Sequence, residues 1–348
     1  MSSASNKFLG EYEVKLISDE RIRWNDFVNA NSGSYCHQYE WQLVLQNAYR
    51  LKTFYLAITQ GSDWVGILPL AVIPGIGRQK AVSVPYCNYG GLLVAQTADV
   101  NHVKNAALAF LRHQGIHLLE VRELCKMGGI SSGGVTMLLD LPKVSDALWK
   151  RIGDKARNQV RKAQRSGLEV QWGREQASDL YGIYAKNMGR LGTPVHARAF
   201  VDEILMAFGD QADVLTVRLQ GRAIAAMLVL KVGDTWIDPI ASGLVEFKKF
   251  NPNMLLYWEA LKQAISVGTR RFDFGRSQRE SGTYKFKTQW GAVAIPLNYY
   301  SYVNGIQVAS ASTDIYRGSK AAVFSKVWSK LPCHIQLVLG PKIRRYIP

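Results

Sequence analysis

Cysteine and histidine are both scarce in this sequence. Cys36, Cys87, Cys125 and Cys333 are scattered over 348 residues without paired spacing, which excludes a disulfide framework and a zinc knuckle. Of the six histidines, His113 and His117 stand four apart, but Gly115 breaks the helix between them and no glutamate accompanies them, so no metal site is expected. No run approaches the roughly 18 consecutive apolar residues of a spanning helix. The start, Met1 to Gly10, lacks the apolar core of a signal peptide, and a cytoplasmic protein is the expectation. No Ser-His-Asp signature and no short-period repeat is visible.

Acidic residues are the remaining deficit, and the deficit is uneven. Residues 1–150 carry 14 Lys and Arg against 12 Asp and Glu, whereas residues 151–348 carry 29 against 15. A basic surface concentrates anionic partners: a nucleotide cofactor, a nucleotide-linked sugar, transfer RNA or an acidic lipid surface. Charge sign alone does not choose among these, nor between any of them and a merely solvated surface.

What is present is a repeated pattern of elements. The first half reads as a strand at Tyr12 to Ile17, helices near Arg21 to Asn29 and Glu40 to Ala48, and a hairpin of Thr53 to Gln60 with Trp64 to Ile73 about Gly61-Ser62-Asp63. A helix from Val100 to Gln114 and a strand from His117 to Arg122 follow. A glycine-rich turn with Gly128-Gly129 and Gly133-Gly134 then precedes Val135 to Leu139. In the second half, one basic helix is expected over Leu148 to Ser166, then a strand, two helices, three antiparallel strands between Asp213 and Ala241, a helix after Asn251-Pro252, and a strand at Arg271 to Phe274. The reading is a duplicated α/β fold with mixed, largely antiparallel sheets: one half over 1–142, a second over 143–305 carrying the main motifs, and a basic, aromatic tail over 306–348.

Three motifs carry a resemblance. They are Ser83-Val84-Pro85-Tyr86 through Asn88-Tyr89-Gly90-Gly91; the basic run Lys155 to Ala163 followed by Gly167-Leu168; and Phe272-Asp273-Phe274-Gly275-Arg276-Ser277 with Gly282-Thr283-Tyr284-Lys285-Phe286-Lys287 and Trp290-Gly291. In this order they resemble the FemAB-like superfamily of tandem GNAT-type acyltransferase domains, most closely its members near polysaccharide pathways. The resemblance implies an N-acyltransferase that acts on an amino group of an amino sugar or cell-envelope glycan precursor. It also leaves open an aminoacyl-tRNA-dependent transferase, although no coiled-coil heptads accompany the second half. A non-catalytic scaffold that binds a glycan precursor or a membrane is the third reading.

Acyl transfer to an amine needs a proton acceptor and a donor to the developing oxyanion. Asp273, at a strand end beside Gly275, suits the first role, or else simply pairs with Arg276 or Arg271. Lys287 suits the second, and the resemblance ties the Phe286-Lys287 pair to substrate and catalysis. Arg157 and Arg161, one helical turn apart, suit an anionic or lipid-linked acceptor, with Arg276, Tyr284, Phe286 and Trp290 as further substrate contacts implied by the motif. Acyl-CoA is the expected donor, with no metal. Its anion site would be the helix start at Asn251, Asn253 and Met254, which lacks the usual glycines but has cap and proline chemistry. The tail, rich in Phe, Trp, Leu, Lys and Arg, reads either as a peripheral contact with the inner membrane face or as a helix packed on the second half.

Overall fold

A computed structural model describes residues 6–8, 12–75, 79–124, 134–308 and 319–348; Cys125 and the glycine-rich turn from Gly128 to Gly133 lie outside these residues. Along the chain run β1 (Asn6–Phe8), β2 (Tyr12–Leu16), α1 (Arg21–Ala30), α2 (Glu40–Tyr49), β3 (Thr53–Gln60), β4 (Asp63–Ile73), β5 (Lys80–Ser83), β6 (Leu93–Val94), α3 (Val100–His113) and β7 (Leu118–Leu124). They continue with β8 (Val135–Asp140), α4 (Ser145–Arg151), α5 (Asp154–Gln164), β9 (Leu168–Trp172), α6 (Ala177–Arg190), α7 (Arg198–Phe208), β10 (Ala212–Leu219), β11 (Arg222–Val232) and β12 (Thr235–Gly243). The last are α8 (Pro252–Ser266), β13 (Arg271–Ser277), α9 (Gly282–Thr288), β14 (Val293–Val303), β15 (Ile306–Val308), α10 (Ser319–Trp328) and α11 (Cys333–Arg344).

The described residues fall into two compact units, one drawn from 1–133, 296–313 and 345–348, the other from 134–295 and 314–344. The division precedes β8 instead of falling at Pro142, because β8 pairs with β13, Leu139 opposite Phe272 and Leu138 opposite Asp273. The chain also returns to the first unit after β13: Leu297 to Val303 of β14 pair antiparallel with β7.

In the first unit the strand order is β1-β2-β3-β4-β5-β7-β14, with β6 on β4 and β15 on β14. Neighbours are antiparallel except β5 and β7. In the second the order is β8-β13-β12-β11-β10-β9, and only β12 and β13 are parallel. Each unit therefore repeats strand, two helices, three antiparallel strands, helix, and a last strand parallel to the third of the three. The duplicated α/β order expected from the sequence is present.

Local chemistry sets the elements that matter for the site. Gln220 and Gly221 both take positive φ (51° and 77°), the twist that a two-residue hairpin between β10 and β11 requires. Pro252 opens α8, where its missing N–H costs nothing, and Gly268 at φ 78° follows its end. Along α5, Ala156, Val160 and Ala163 form a narrow buried stripe against α8. The core of this unit gathers Leu255, Leu256, Leu261, Phe272, Phe274 and Trp290, each fully or nearly fully buried.

The single basic helix expected over Leu148 to Ser166 is two helices. Ile152 leaves the helical conformation at ψ 144° and is buried, and Gly153 at ψ 160° starts the next helix. Burial of the Ile152 side chain outweighs continuation of a surface helix. The tail forms α10 and α11. Gln336 is buried and donates to the Trp328 carbonyl at 2.8 Å, and a Cβ on Gly189 or Gly340 would press on Gln336 or Val195. No helix among the described residues is long and apolar enough to cross a membrane.

Candidate active site where two parallel strands separate

β12 and β13 pair in parallel only at Thr235–Arg271, Trp236–Phe272 and Ile237–Asp273. Past that point they separate, and each is irregular where it does so. On β12, Asp238 and Pro239 together face a single β11 residue, since Ile237 pairs with Leu230 and Ile240 with Leu228. This is a bulge at a position where proline's missing N–H costs no ladder bond. On β13 the register with β8 shifts between Asp273 and Arg276, and Gly275 sits at φ 71°, where a side chain is strained.

These irregularities bring buried charges together. Asp238 accepts a hydrogen bond from the Tyr257 hydroxyl of α8, while its Oδ1 has no hydrogen-bond partner. Asp273 Oδ1 accepts from Thr136 Oγ1 at 2.6 Å and from the Gly275 amide at 2.8 Å. Lys287, carried in by α9, donates from Nζ to the carbonyls of Gly275 (3.1 Å), inside the bulge, and Arg276 (2.9 Å), where the pairing with β8 resumes. All three charged residues are buried.

Burial dominates the titration of the cluster. It pushes the Asp238 carboxyl up to about 7, against the opposing pull of Lys287 and Tyr257, with the Asp273 charge pushing the same way as burial. Burial also lowers the Lys287 ammonium, which Asp238 and Asp273 partly counteract. A carboxylate poised near neutrality with an uncommitted oxygen is suited to accept a proton, and a lysine with two of three hydrogens committed has one left for an anionic oxygen.

The motif residues are distributed around this centre. Asp273 and Lys287 lie within it, and Arg276, half-buried, follows the bulge. Phe286 meets Tyr257 edge-on with ring centroids 5.0 Å apart, and Trp290 is 6.5 Å from Tyr257, fully buried, with Nε1 unpartnered. Tyr284 is half-buried against the same core, its amide bonded to Ser281 Oγ. Arg157 is engaged elsewhere: Nη1 donates to the carbonyls of Ile152 (2.6 Å) and Trp149 (3.2 Å), and Nη2 pairs with Asp154. It thereby satisfies the end of α4. Arg161 lies over the Trp149 ring at 5.3 Å.

At the start of α8, Asn251 is left-handed (φ 55°, ψ 44°) and its side chain caps nothing, in contrast to the expected cap. Met254 is buried in the core, while Asn253 is exposed beside Gly243. The exposed Lys248 and Lys249 immediately precede this helix start. Sequence reasoning missed Asp238 and these two lysines. The Asp-Pro pair inside an otherwise apolar strand was the signal for Asp238, because proline in a central strand marks a bulge.

The equivalent separation in the first unit is filled. β5 and β7 pair only at Lys80–Leu118, Ala81–Leu119 and Val82–Glu120. Beyond, the loop through Gly91 lies on β7: the Gly90 amide donates to the Arg122 carbonyl at 3.1 Å, and a Cβ on Gly91 would fall 2.6 Å from Glu123. Buried Arg122 holds the loop, donating to the Cys87 carbonyl at 3.1 Å and to Glu120 at 2.8 Å. Glu120 also accepts from Lys80 at 2.6 Å. Burial alone would raise Glu120, but Arg122 and Lys80 hold it below the usual carboxylate range. His37 and His196 are buried structural residues. Burial lowers His37 to about 4, and burial followed by Arg344 lowers His196.

Residues 153–288, within the second unit, match the family model of the acetyltransferase (GNAT) domain. Over these residues the second unit is similar to a GNAT acetyltransferase domain. The wider chain shares its fold with FemX at a TM-score of 0.67 and 14% identity, over 84% of this chain and 97% of that one. L-PGS from Bacillus licheniformis aligns at 0.55 and 11%, over 93% and 100%. A tandem GNAT protein from the clavulanic acid biosynthesis pathway aligns at 0.55 and 12%, over 84% and 99%. Comparison with curated protein sequences finds no match. The chain thus shares the fold of a tandem GNAT protein, and the residues that match the GNAT model include the parallel strands that separate past Ile237 and Asp273.

Proposed function

We propose that the protein transfers an acyl group from acyl-CoA to the amine of an amino sugar or a related cell-envelope precursor, with the reaction centred on Asp238. The observation that carries this reading is the unpartnered Oδ1 of Asp238 where β12 and β13 separate. The amine nitrogen attacks the thioester carbonyl and its proton passes to Asp238; the C–N bond forms, the C–S bond breaks, and the departing thiolate takes that proton back from Asp238, so that CoA leaves as the thiol and the carboxylate is regenerated. The third hydrogen of the Lys287 ammonium faces the developing oxyanion, while Asp273 holds the bulge that supports it. Exposed Lys248 and Lys249, with the dipole of α8, meet the donor phosphates. Arg161, with its guanidinium over Trp149, offers an anionic acceptor a contact that Arg157, committed to α4, does not.

A second donor class is favoured by one observation, the excess of 29 basic over 15 acidic residues in 151–348, which suits an aminoacyl-tRNA. FemX, at 14% identity, supports that alternative through fold alone. The two readings separate by titrating the protein with acetyl-CoA, longer acyl-CoAs and charged tRNA while following thermal stability. Saturable stabilisation by an acyl-CoA, retained in Asp238→Asn while turnover is lost, is the expected outcome. Stabilisation by charged tRNA alone would move the assignment to aminoacyl transfer, and silence from both would leave a non-catalytic scaffold.

A further inference from the structure

We infer that the outer surface of the two C-terminal helices docks onto an anionic lipid bilayer. Each helix buries one side and leaves the other apolar. Trp328 of α10 and Gln336 and Gly340 of α11 face inward, whereas Val323, Val327 and Val338 remain 62%, 58% and 59% exposed. Phe324, Leu337 and Leu339 are exposed beside them. Covering an exposed apolar side chain is favourable, so six left in water on two consecutive helices call for a covering surface.

The accompanying charge identifies that surface. Residues 319–348 contain Lys320, Lys326, Lys330, Lys342, Arg344 and Arg345 and no acidic residue. Lys326, Lys330 and Lys342 are exposed among the aliphatic groups. A second copy is a poor occupant, because a two-fold contact sets a patch against itself and would bring lysine to lysine. Nucleic acid rewards the lysines and gains nothing from valine and leucine. A bilayer of acidic phospholipids takes both: the aliphatic side chains enter the acyl boundary and the lysines meet the headgroups. The helices are too short to span, so the contact is peripheral. The inference is independent of the donor and acceptor proposed above.

Co-sedimentation of the full chain with mixed phosphatidylcholine and phosphatidylglycerol vesicles, and with phosphatidylcholine alone, tests it. Binding should require phosphatidylglycerol and weaken at high salt. Replacing Lys326, Lys330 and Lys342 together by serine should weaken it on the order of a hundredfold, and Val323→Ser with Val338→Ser and Leu339→Ser by at least about tenfold. All six positions are exposed, and unchanged thermal melting would show that both variants fold. Absence of binding to the acidic vesicles, or binding that survives either triple variant, would overturn the inference. So would a dimer in sedimentation that the aliphatic variant dissolves, or tRNA binding that the aliphatic variant leaves intact in place of lipid binding.

Discussion

Tyr257 of α8 donates its hydroxyl hydrogen to Asp238 of β12 and leaves the other carboxylate oxygen without a partner. The helix that covers the sheet therefore positions the carboxylate at the opening of the strands without consuming it. Burial and the charge of Asp238 drive the Tyr257 hydroxyl well above its ordinary range, so it remains a donor at every pH of interest.

Asp238→Asn should retain the Tyr257 contact, since the amide oxygen still accepts, and lower turnover about 10²–10⁴-fold. The wild-type rate should rise with pH through about 7 as Asp238 ionises, and the variant should lack that limb. A pH–rate profile of the two proteins checks this; an unchanged limb would assign it to another group.

The same carboxyl makes a prediction about stability. Its folded pKa is about 7 against an ordinary 3.8, so between these values the folded state binds a proton that the unfolded state has released. Its contribution must therefore fall as pH rises from about 4 through 7. Asp238→Asn should flatten this decline, measured by urea unfolding across the window.

Lys287→Met removes the donor to the Gly275 and Arg276 carbonyls and leaves buried carboxylates without their cation. A destabilisation of about 3–5 kcal/mol is expected. Because Lys287 holds Asp238 down, whatever activity remains should show its limb displaced to higher pH. A purely structural lysine remote from the reaction would lower stability without moving that limb.

Arg157 and Arg161 should separate cleanly. Arg157→Ala uncaps α4 and should cost about 1–3 kcal/mol in denaturant unfolding. Arg161→Ala should change stability by under about 0.5 kcal/mol, and its effect should fall on acceptor KM. Equal stability losses would contradict this division.

The order of elements was legible in the sequence because turn residues and hydrophobic period act locally: Gln220-Gly221, Asn251-Pro252 and Gly268 mark their boundaries without reference to anything distant. The excess of basic charge in the second half and the absence of acidic residues from 319–348 were likewise plain. Tertiary structure decided the rest. Whether Asp273 met Arg276, Arg271 or Thr136 depended on the pairing of β13 with β8, more than a hundred residues away. Arg157 looked like a phosphate ligand until Ile152 was buried and the broken helix exposed carbonyls for it to satisfy. Asp238, one acid among many in the sequence, gained its raised pKa only by being carried into the core at a bulge, since desolvation belongs to the packed environment and not to the residue.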